Sequence, residues 1–196
     1  MVRAILAAIG LLCCSTGLHA VEVESVMAQR TGDRYQVGFT MTVAIPESFA
    51  REILEDPDRV VEVNEELQSV THLPSNAPGV RRFRDHTSAC VWMFCVDYEN
   101  TLKMQILDNN DIRLEVEPAL SEFEHGVFTW RTRPLGPART RIRFQSESTP
   151  GFWIPSTAML QKRMKKGIYK MLAHMECEYR QEPVCKETAW EDSTAE

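Results

Sequence analysis

The segment TPGFWIP at positions 149–155, followed by STAMLQKRMKKGIYKMLAHMEC at 156–177, decides the fold because it predicts one long amphipathic helix. Its apolar residues recur at spacings of three and four, which places them on one helix face, whereas the basic residues fall mostly on the other. Ser156 follows Pro155 and is suited to cap the N-terminus. Because the preceding sequence predicts strands, we expect this helix to cover a sheet. The apolar face contains Leu160, Met164, Ile168, Met171, Leu172 and Met175.

Residues 35–45 show the alternation of a half-buried antiparallel strand. A short helix is predicted next, from Glu47 after Pro46 to the Asp56-Pro57 pair, with Phe49, Ile53 and Leu54 on its apolar face. Asp58 is expected to cap a second helical turn that runs through Val60 and Val61. The apolar positions of the strand are Tyr35, Val37, Phe39, Met41, Val43 and Ile45.

Further strands are predicted at 67–73, 80–89, 98–107 and 112–116, around Phe128 and Trp130, and at 139–145. Residues 108–111 are predicted to form a hairpin turn. Together with the helices, these strands predict an α+β domain. We expect a curved antiparallel sheet of six or seven strands around the long C-terminal helix, with two short helices after the first strand. The acidic segment 181–196 is expected to be a tail.

Residues 1–20 are predicted to be an export signal, with a basic start at Arg3, an apolar run and a small-residue cleavage site at 18–20. A retained anchor and lipidation at Cys13 or Cys14 remain alternatives. Residues 1–20 contain one of the 22 basic residues and none of the 28 acidic ones, so their removal changes the net charge from −6 to −7. This charge argues against nucleic-acid binding. Export, and a bacterial periplasmic location, are therefore expected for a domain at 21–180.

Four of the six cysteines lie beyond the signal, and an even number in an exported chain favours disulfides. We favour the local pairings Cys90–Cys95 and Cys177–Cys185 among the three connectivities. Their spacings do not match a zinc site, so no metal is predicted. The scattered histidines form no metal motif, and there is no nucleophile elbow or glycine-rich phosphate loop. The sequence therefore predicts neither a cofactor nor a catalytic residue.

Several short motifs, in this order and spacing, resemble the START/Bet v 1-like (SRPBCC) superfamily over residues 33–180. The passages at 43–49 and 54–58 resemble the polyketide cyclase/dehydrase branch, although a Trp often found soon afterwards is absent. The passages at 90–95, 121–130 and 150–155 resemble exported bacterial members. The resemblance implies a helix-grip fold with a hydrophobic cavity between the sheet and the C-terminal helix, which accepts lipids, sterols, polyketides or quinones.

The expected cavity residues are those of the inward faces of the strands and the long helix. Periodicity alone does not distinguish a cavity from a filled core. Polar groups on Tyr98 or Asn100 could orient a ligand inside or lie at the rim. Phe152 and Trp153 are expected at the cavity mouth, with a packing plug as the alternative. The cavity set is Phe39, Met41, Tyr98, Leu102, Met104, Leu114, Phe128, Trp130, Ile142, Phe144, Met164, Ile168 and Met171.

These features predict an exported protein that binds or carries a hydrophobic small molecule, and we favour this hypothesis over an enzyme. A cyclase/aromatase-type enzyme that uses the same cavity is the alternative, and a closed-core interaction module is the second. A stripe of arginines at 139, 141 and 143, with those at 131 and 133, could contact anionic headgroups or an acidic partner. We favour a solvated outer face that Glu115 and Glu117 balance. The sequence does not indicate the oligomeric state.

The two disulfides can be tested by non-reducing peptide mapping of protein purified from the periplasm. We expect one peptide pair that links Cys90 to Cys95 and another that links Cys177 to Cys185, because short loops close readily in an oxidising compartment. Recovery of these cysteines as free thiols, or cross-linked between the two pairs, would contradict the prediction.

Overall fold

The computed structural model describes residues 22–91, 94–152, 154 and 156–181. Within this part, eight strands form one antiparallel sheet in the order β1-β2-β8-β7-β6-β5-β4-β3. The strands are β1 (Glu22–Thr31), β2 (Arg34–Val43), β3 (Leu67–Leu73), β4 (Val80–Val91), β5 (Phe94–Ile106), β6 (Ile112–Val116), β7 (Phe123–Gly136) and β8 (Arg139–Pro150). The helices are α1 (Glu47–Leu54), α2 (Pro57–Val63) and α3 (Thr157–Tyr179), with a 3-10 turn at Pro118–Leu120.

The α+β class, the two short helices and the long C-terminal helix are confirmed. The predicted number of six or seven strands is wrong, since the sheet has eight, and the short helices follow the second strand. The strand that the sequence pattern missed is β1, which is mostly exposed. A bulge between Val23 and Ser25 breaks its period of two, so Val23 and Val26 both pack against the core although they are three residues apart.

Strand β2 supplies the centre of the core, as its alternation predicts. Tyr35, Val37, Phe39, Met41 and Val43 are all buried, and Ile45 just beyond the strand is fully buried. Strand β2 pairs with β1 on one side and with β8 on the other. The first part of the described chain is therefore held beside its last strand.

Helices α1 and α2 carry the chain from β2 to β3, which lies at the far edge of the sheet. Helix α1 contacts β7 and β8, and α2 contacts β3. The first turn of α2 is capped by Asp56, whose side chain accepts a hydrogen bond from the N–H of Asp58 at 3.1 Å. The predicted cap at Asp58 is therefore wrong, because Pro57 at the first helical position shifts the helix start by two residues.

Helix α3 lies on the sheet with its apolar face in the core and contacts β1, β4 and α2. The predicted cap is confirmed: the Ser156 hydroxyl accepts a hydrogen bond from the N–H of Met159 at 3.4 Å. Lys162, Lys165 and Lys166 are exposed, as expected for the basic side of an amphipathic helix. None of the helices in the described part of the chain is long and apolar enough to cross a membrane.

The C-terminal half of α3 is fixed to the start of the crossover by a buried carboxylate. Glu176 is 7% exposed and its Oε1 accepts a hydrogen bond from the backbone N–H of Ala44 at 2.6 Å. Its Oε2 lies 3.5 Å from Arg180. Next to this contact, the Thr140 hydroxyl of β8 donates to the carbonyl oxygen of Ile45 at 2.7 Å. The bend after β2 is thus held from both sides.

The arginine stripe faces outward on β7 and β8, and its partners differ from the predicted ones. Arg139 pairs with Glu22 at 3.1 Å and Arg141 with Glu24 at 2.9 Å, both on β1, whereas Arg131 pairs with Asp111. Glu117 instead accepts two hydrogen bonds from Arg82, and Glu115 pairs with Arg113. The prediction that Glu115 and Glu117 balance the stripe is wrong because β1 was not recognised.

Replacement of Glu176 by Leu should lower the free energy of unfolding by roughly 1–3 kcal/mol, since it leaves the Ala44 N–H without its acceptor. Glu176→Gln keeps an oxygen at the same place and should cost clearly less. Denaturant unfolding of both variants and the wild type measures the difference. Equal losses for Leu and Gln would show that the carboxylate charge, rather than the hydrogen bond to Ala44, carries the effect.

Candidate ligand-binding cavity

A cavity of about 250 Å³ lies between the sheet and the α1–α2 crossover. Strands β3 to β8 supply the sheet side, and the end of α1, helix α2 and the link to β3 supply the opposite wall. Its lining consists of Leu54, Pro57, Val60, Asn64, Glu66, Leu67, Phe83, Asp85, Thr87, Tyr98, Asn100, Leu102, Met104, Leu114, Phe123, Phe128, Trp130 and Phe144.

One end of the cavity is apolar and rich in aromatic rings. Phe144 of β8 lies 4.7 Å from Trp130 and 6.3 Å from Phe128, measured between ring centroids. Phe39 stacks on Phe144 at 4.8 Å from the core side and holds this group in place. Aromatic pairs at these distances are favourable and rigid. The apolar end therefore presents a preformed surface to a flat or aliphatic molecule.

The other end is polar, and the β4–β5 register explains why. Three directly opposed pairs point inward along these strands: Phe83 with Leu102, Asp85 with Asn100, and Thr87 with Tyr98. Because side chains alternate between the faces of a strand, every second residue reaches the cavity. The lining along these two strands thus changes from apolar to polar over two steps.

Asp85 is the most perturbed group of this polar end. Its Oδ1 accepts a hydrogen bond from the backbone N–H of Asn100 at 3.0 Å. Burial raises the pKa of Asp85 from 3.8 to about 6, and the hydrogen bonds from Asn100 and from its own N–H oppose this only in part. Glu99 nearby acts in the same direction as burial, and His86 acts against it. Asp85 is thus mostly ionised at pH 7 but takes up a proton in mildly acidic solution.

Tyr98 supplies a neutral hydroxyl beside this carboxyl. Burial raises the pKa of Tyr98 far above its ordinary value, and the negative charges of Asp85 and Glu66 raise it further. A hydrogen bond with Thr87 and the charge of Arg163 act in the opposite direction. The phenol therefore keeps its proton under all ordinary conditions and can serve as a hydrogen-bond donor.

Asn100 is 2% exposed and links the cavity wall to the start of β7. Its Oδ1 accepts a hydrogen bond from the N–H of Phe123 at 3.2 Å. This hydrogen bond holds the start of β7 against the cavity wall. Of the two positions that the sequence left open, both Tyr98 and Asn100 line the cavity rather than the rim.

The structure divides the predicted cavity residues into two groups. Those that line this cavity are Tyr98, Leu102, Met104, Leu114, Phe128, Trp130 and Phe144. Those that belong to the packed core or lie against it are Phe39, Met41, Ile142, Met164, Ile168 and Met171. Among the described lining residues, those of α1, α2 and the link to β3 stand opposite the strands, and the predicted wall on α3 stays a prediction. Any ligand contact of either group stays a prediction.

Phe152 lies at the polar end, behind the cavity wall. Its ring stacks on Tyr98 at 5.2 Å and on Phe123 at 5.5 Å. Both of these residues line the cavity. These contacts are compatible with both predicted roles of Phe152, as a residue at the cavity mouth and as a packing plug. Trp153, the second predicted mouth residue, lies outside the described residues.

The cysteine predictions fall largely outside the described part of the structure. Cys185 and the side chain of Cys90 are not described, so both pairings stay predictions. The backbone does place Cys90 directly opposite Cys95 in the β4–β5 register. Opposed residues of an antiparallel pair have Cα atoms about 4.5–5.5 Å apart, which is within the range that a disulfide bridges.

Sequence reasoning missed Asp85, Thr87, Glu66 and the residues of α2. Asp85 and Thr87 belong to a segment that looks uniformly polar, but they share the parity of Phe83, which is 3% exposed. That parity was the available signal for an inward-facing carboxyl. The residues of α2 had no such signal, because only the crossover geometry brings them to the cavity. In the described part of the chain, no cluster of His, Cys, Asp or Glu is arranged to hold a metal ion.

Comparison with known proteins gives a fold but no sequence family. No protein-family model matches the chain, and no curated protein sequence matches it. Among solved structures, the chain is similar to the Zhui aromatase/cyclase from Streptomyces sp. R1128, with 16% identity and a TM-score of 0.58 over 76% of this chain and 94% of that one. The STAR-related lipid transfer protein from Xanthomonas axonopodis matches with 11% identity and a TM-score of 0.59 over 80% and 98% of the two chains.

Human StAR-related lipid transfer protein 5 is also similar, with 9% identity and a TM-score of 0.59 over 85% of this chain and 89% of that one. The chain has the START/Bet v 1-like (SRPBCC) fold. This START/Bet v 1-like architecture is shared by cyclases and by lipid-transfer proteins, so the fold alone does not select between the two activities.

The ionised carboxylate of Asp85 should lower the free energy of unfolding in a way that depends on pH. Because the pKa of Asp85 is raised from 3.8 to about 6, the folded protein binds a proton more readily than the unfolded chain between these values. Wild-type stability therefore falls as the pH rises through this window. Asp85→Asn keeps an acceptor for the Asn100 N–H, and should raise the free energy of unfolding by about 2–3 kcal/mol at pH 7.

The gain should be small at pH 4 and should vanish below about pH 3, where the wild-type carboxyl is protonated in both states. Denaturant unfolding at a series of pH values measures it. Asp97→Asn is the matched control, since Asp97 is an exposed carboxylate of the neighbouring strand β5. A gain for Asp85→Asn that is the same at pH 4 and pH 7 would contradict the assignment of its cost to ionisation.

Proposed function

We propose that this protein binds and carries a hydrophobic small molecule in the cavity between the sheet and the α1–α2 crossover. The observation that carries the proposal is the lining itself: an aromatic and aliphatic end joined to a small polar end. Binding pockets for small molecules are typically apolar with a few convergent polar groups. A core that served stability alone would be filled, because empty space forfeits packing contacts.

The volume limits the ligand. An apolar cavity of about 150 Å³ accepts benzene, so the cavity of about 250 Å³ is suited to one or two rings or an equivalent aliphatic group. A quinone ring or a small polyketide-like aromatic fits this size. A sterol or a whole lipid would enter only in part. The lipid-transfer and aromatase/cyclase names of the structural neighbours support a hydrophobic ligand of either kind.

An enzyme of the cyclase type is the second candidate, and Asp85 is the observation that favours it. A carboxyl with a pKa of about 6 inside a cavity is suited to accept a proton near neutral pH. Tyr98 beside it could donate a hydrogen bond to a carbonyl oxygen. An interaction module with a closed core needs no such cavity, and is the least supported of the three hypotheses.

Export remains part of the proposal. We infer a periplasmic carrier from residues 1–20 and from the cysteine count, both of which rest on the sequence. Contact with a membrane surface is proposed as the route by which a hydrophobic ligand would enter and leave. The exposed lysines of α3 could provide it, since basic side chains are attracted to anionic headgroups.

Native mass spectrometry of protein purified from the periplasm, with solvent extraction of the same sample, tests the carrier proposal. We expect a reproducible apolar compound bound at one molecule per chain. Leu114→Trp places a larger side chain in the cavity and should abolish most of this binding, whereas Leu135→Trp, at a site 44% exposed, should not. Wild-type protein that is empty under these conditions, and that binds no small aromatic compound added to it, would refute the proposal.

A further inference from the structure

The charged side chains among the described lining residues are Glu66 and Asp85, both acidic. Neither a lysine nor an arginine is part of that lining. Glu66 is already neutralised, because its Oε1 accepts a hydrogen bond from Arg163 Nε at 2.9 Å and lies 2.8 Å from another nitrogen of the same guanidinium. Asp85 is therefore the lining charge whose partner has to be identified.

Asp85 is held by backbone groups alone. The hydrogen bonds to its carboxyl come from the N–H of Asn100 and from its own N–H, and no Lys or Arg of the described chain forms an ion pair with it. A carboxylate that is removed from water without a cation is costly. A positive charge brought in by a ligand would relieve this cost.

Aromatic rings stand beside the carboxyl. Tyr98 and Phe123 line the polar end and stack on each other at 5.3 Å, and Trp130 lines the cavity further in. The faces of such rings attract organic cations, and more strongly where water is excluded. The polar end thus combines one carboxylate that has no Lys or Arg partner in the described chain with neighbouring aromatic rings, a combination that favours an ammonium group over an anion.

We propose that the cavity selects an apolar molecule that carries a protonated amine, with the amine at Asp85 beside the rings of Tyr98 and Phe123, and that it rejects carboxylate-bearing molecules of the same size. This inference deepens the proposed function and rests on it. It excludes fatty acids and other organic anions as preferred ligands, because an anion would face Asp85 without a compensating Lys or Arg among the described lining residues.

The charged and titratable groups around Asp85 decide how the selectivity depends on pH. Glu99 on β5 and His86 on β4 adjoin it, Tyr98 stays neutral, and Glu66 and Arg163 neutralise each other. On β3 the opposed residue is Val70, which carries no charge. Protonation of Asp85 itself is therefore the step that removes the attraction, and amine affinity should fall as the pH is lowered through about 6.

Three two-ring probes of nearly equal shape test the proposal: 1-naphthylmethylamine (cationic), 1-naphthylmethanol (neutral) and 1-naphthoate (anionic). Isothermal titration at pH 7.5 and pH 5 measures their affinities for the wild type, Asp85→Asn and the control Asp97→Asn. At pH 7.5 the amine should bind the wild type at least about tenfold more tightly than the alcohol, because charge-assisted hydrogen bonds are about twice as strong as neutral ones. Naphthoate should bind most weakly.

Asp85→Asn should reduce the ratio of amine to alcohol affinity by about tenfold and remove its pH dependence, whereas Asp97→Asn should leave both unchanged. If the alcohol binds but the amine has no advantage, or if the advantage survives in Asp85→Asn, the amine proposal is overturned and the cavity proposal stands. Failure of all three probes to bind would count against the cavity itself.

Discussion

The pairing of β2 with β8 is the constraint on which the rest of the structure depends. It runs without interruption from Tyr35 opposite Ser148 to Val43 opposite Thr140 and holds the beginning and the end of the sheet sequence side by side. Strand β3 is then left at the opposite edge. The chain between β2 and β3 has to cross the whole sheet, and α1 and α2 are the crossover. The cavity lies where this crossover stands opposite the strands.

The ionised carboxylate of Asp85 at the polar end of the cavity reduces the stability of the folded protein, and this cost suggests a function for it. Asp85 could be exchanged for Asn without loss of the Oδ1 contact to Asn100, and the raised pKa shows that its charge opposes folding. Buried charges that reduce stability are typical of sites that serve a function. Tyr98, by contrast, stays neutral because burial raises its pKa. The carboxyl is therefore the feature of the cavity least explained by stability alone.

The sequence was informative where one physical rule acted alone. The alternation of β2, the heptad-like spacing of α3 and the Ser156 cap were all predictable, because each depends on residues close in the chain. Strand β1 was missed because a bulge changes the side to which Val23 and Val26 point. The cavity was predicted from the family resemblance, but its wall was assigned to α3 since no local pattern reveals that Pro57 and Val60 lie opposite the strands.

Recognition and catalysis make different demands on the same carboxyl. A general base has to exchange a proton with its substrate, so its pKa must stay near neutrality when the substrate is bound. A recognition group for a cation behaves in the opposite way, because the ligand's charge lowers the pKa of Asp85 and keeps it ionised throughout. The raised pKa of Asp85 is compatible with both demands. The titration of Asp85 with a ligand in place therefore distinguishes a carrier from a cyclase more directly than the fold does.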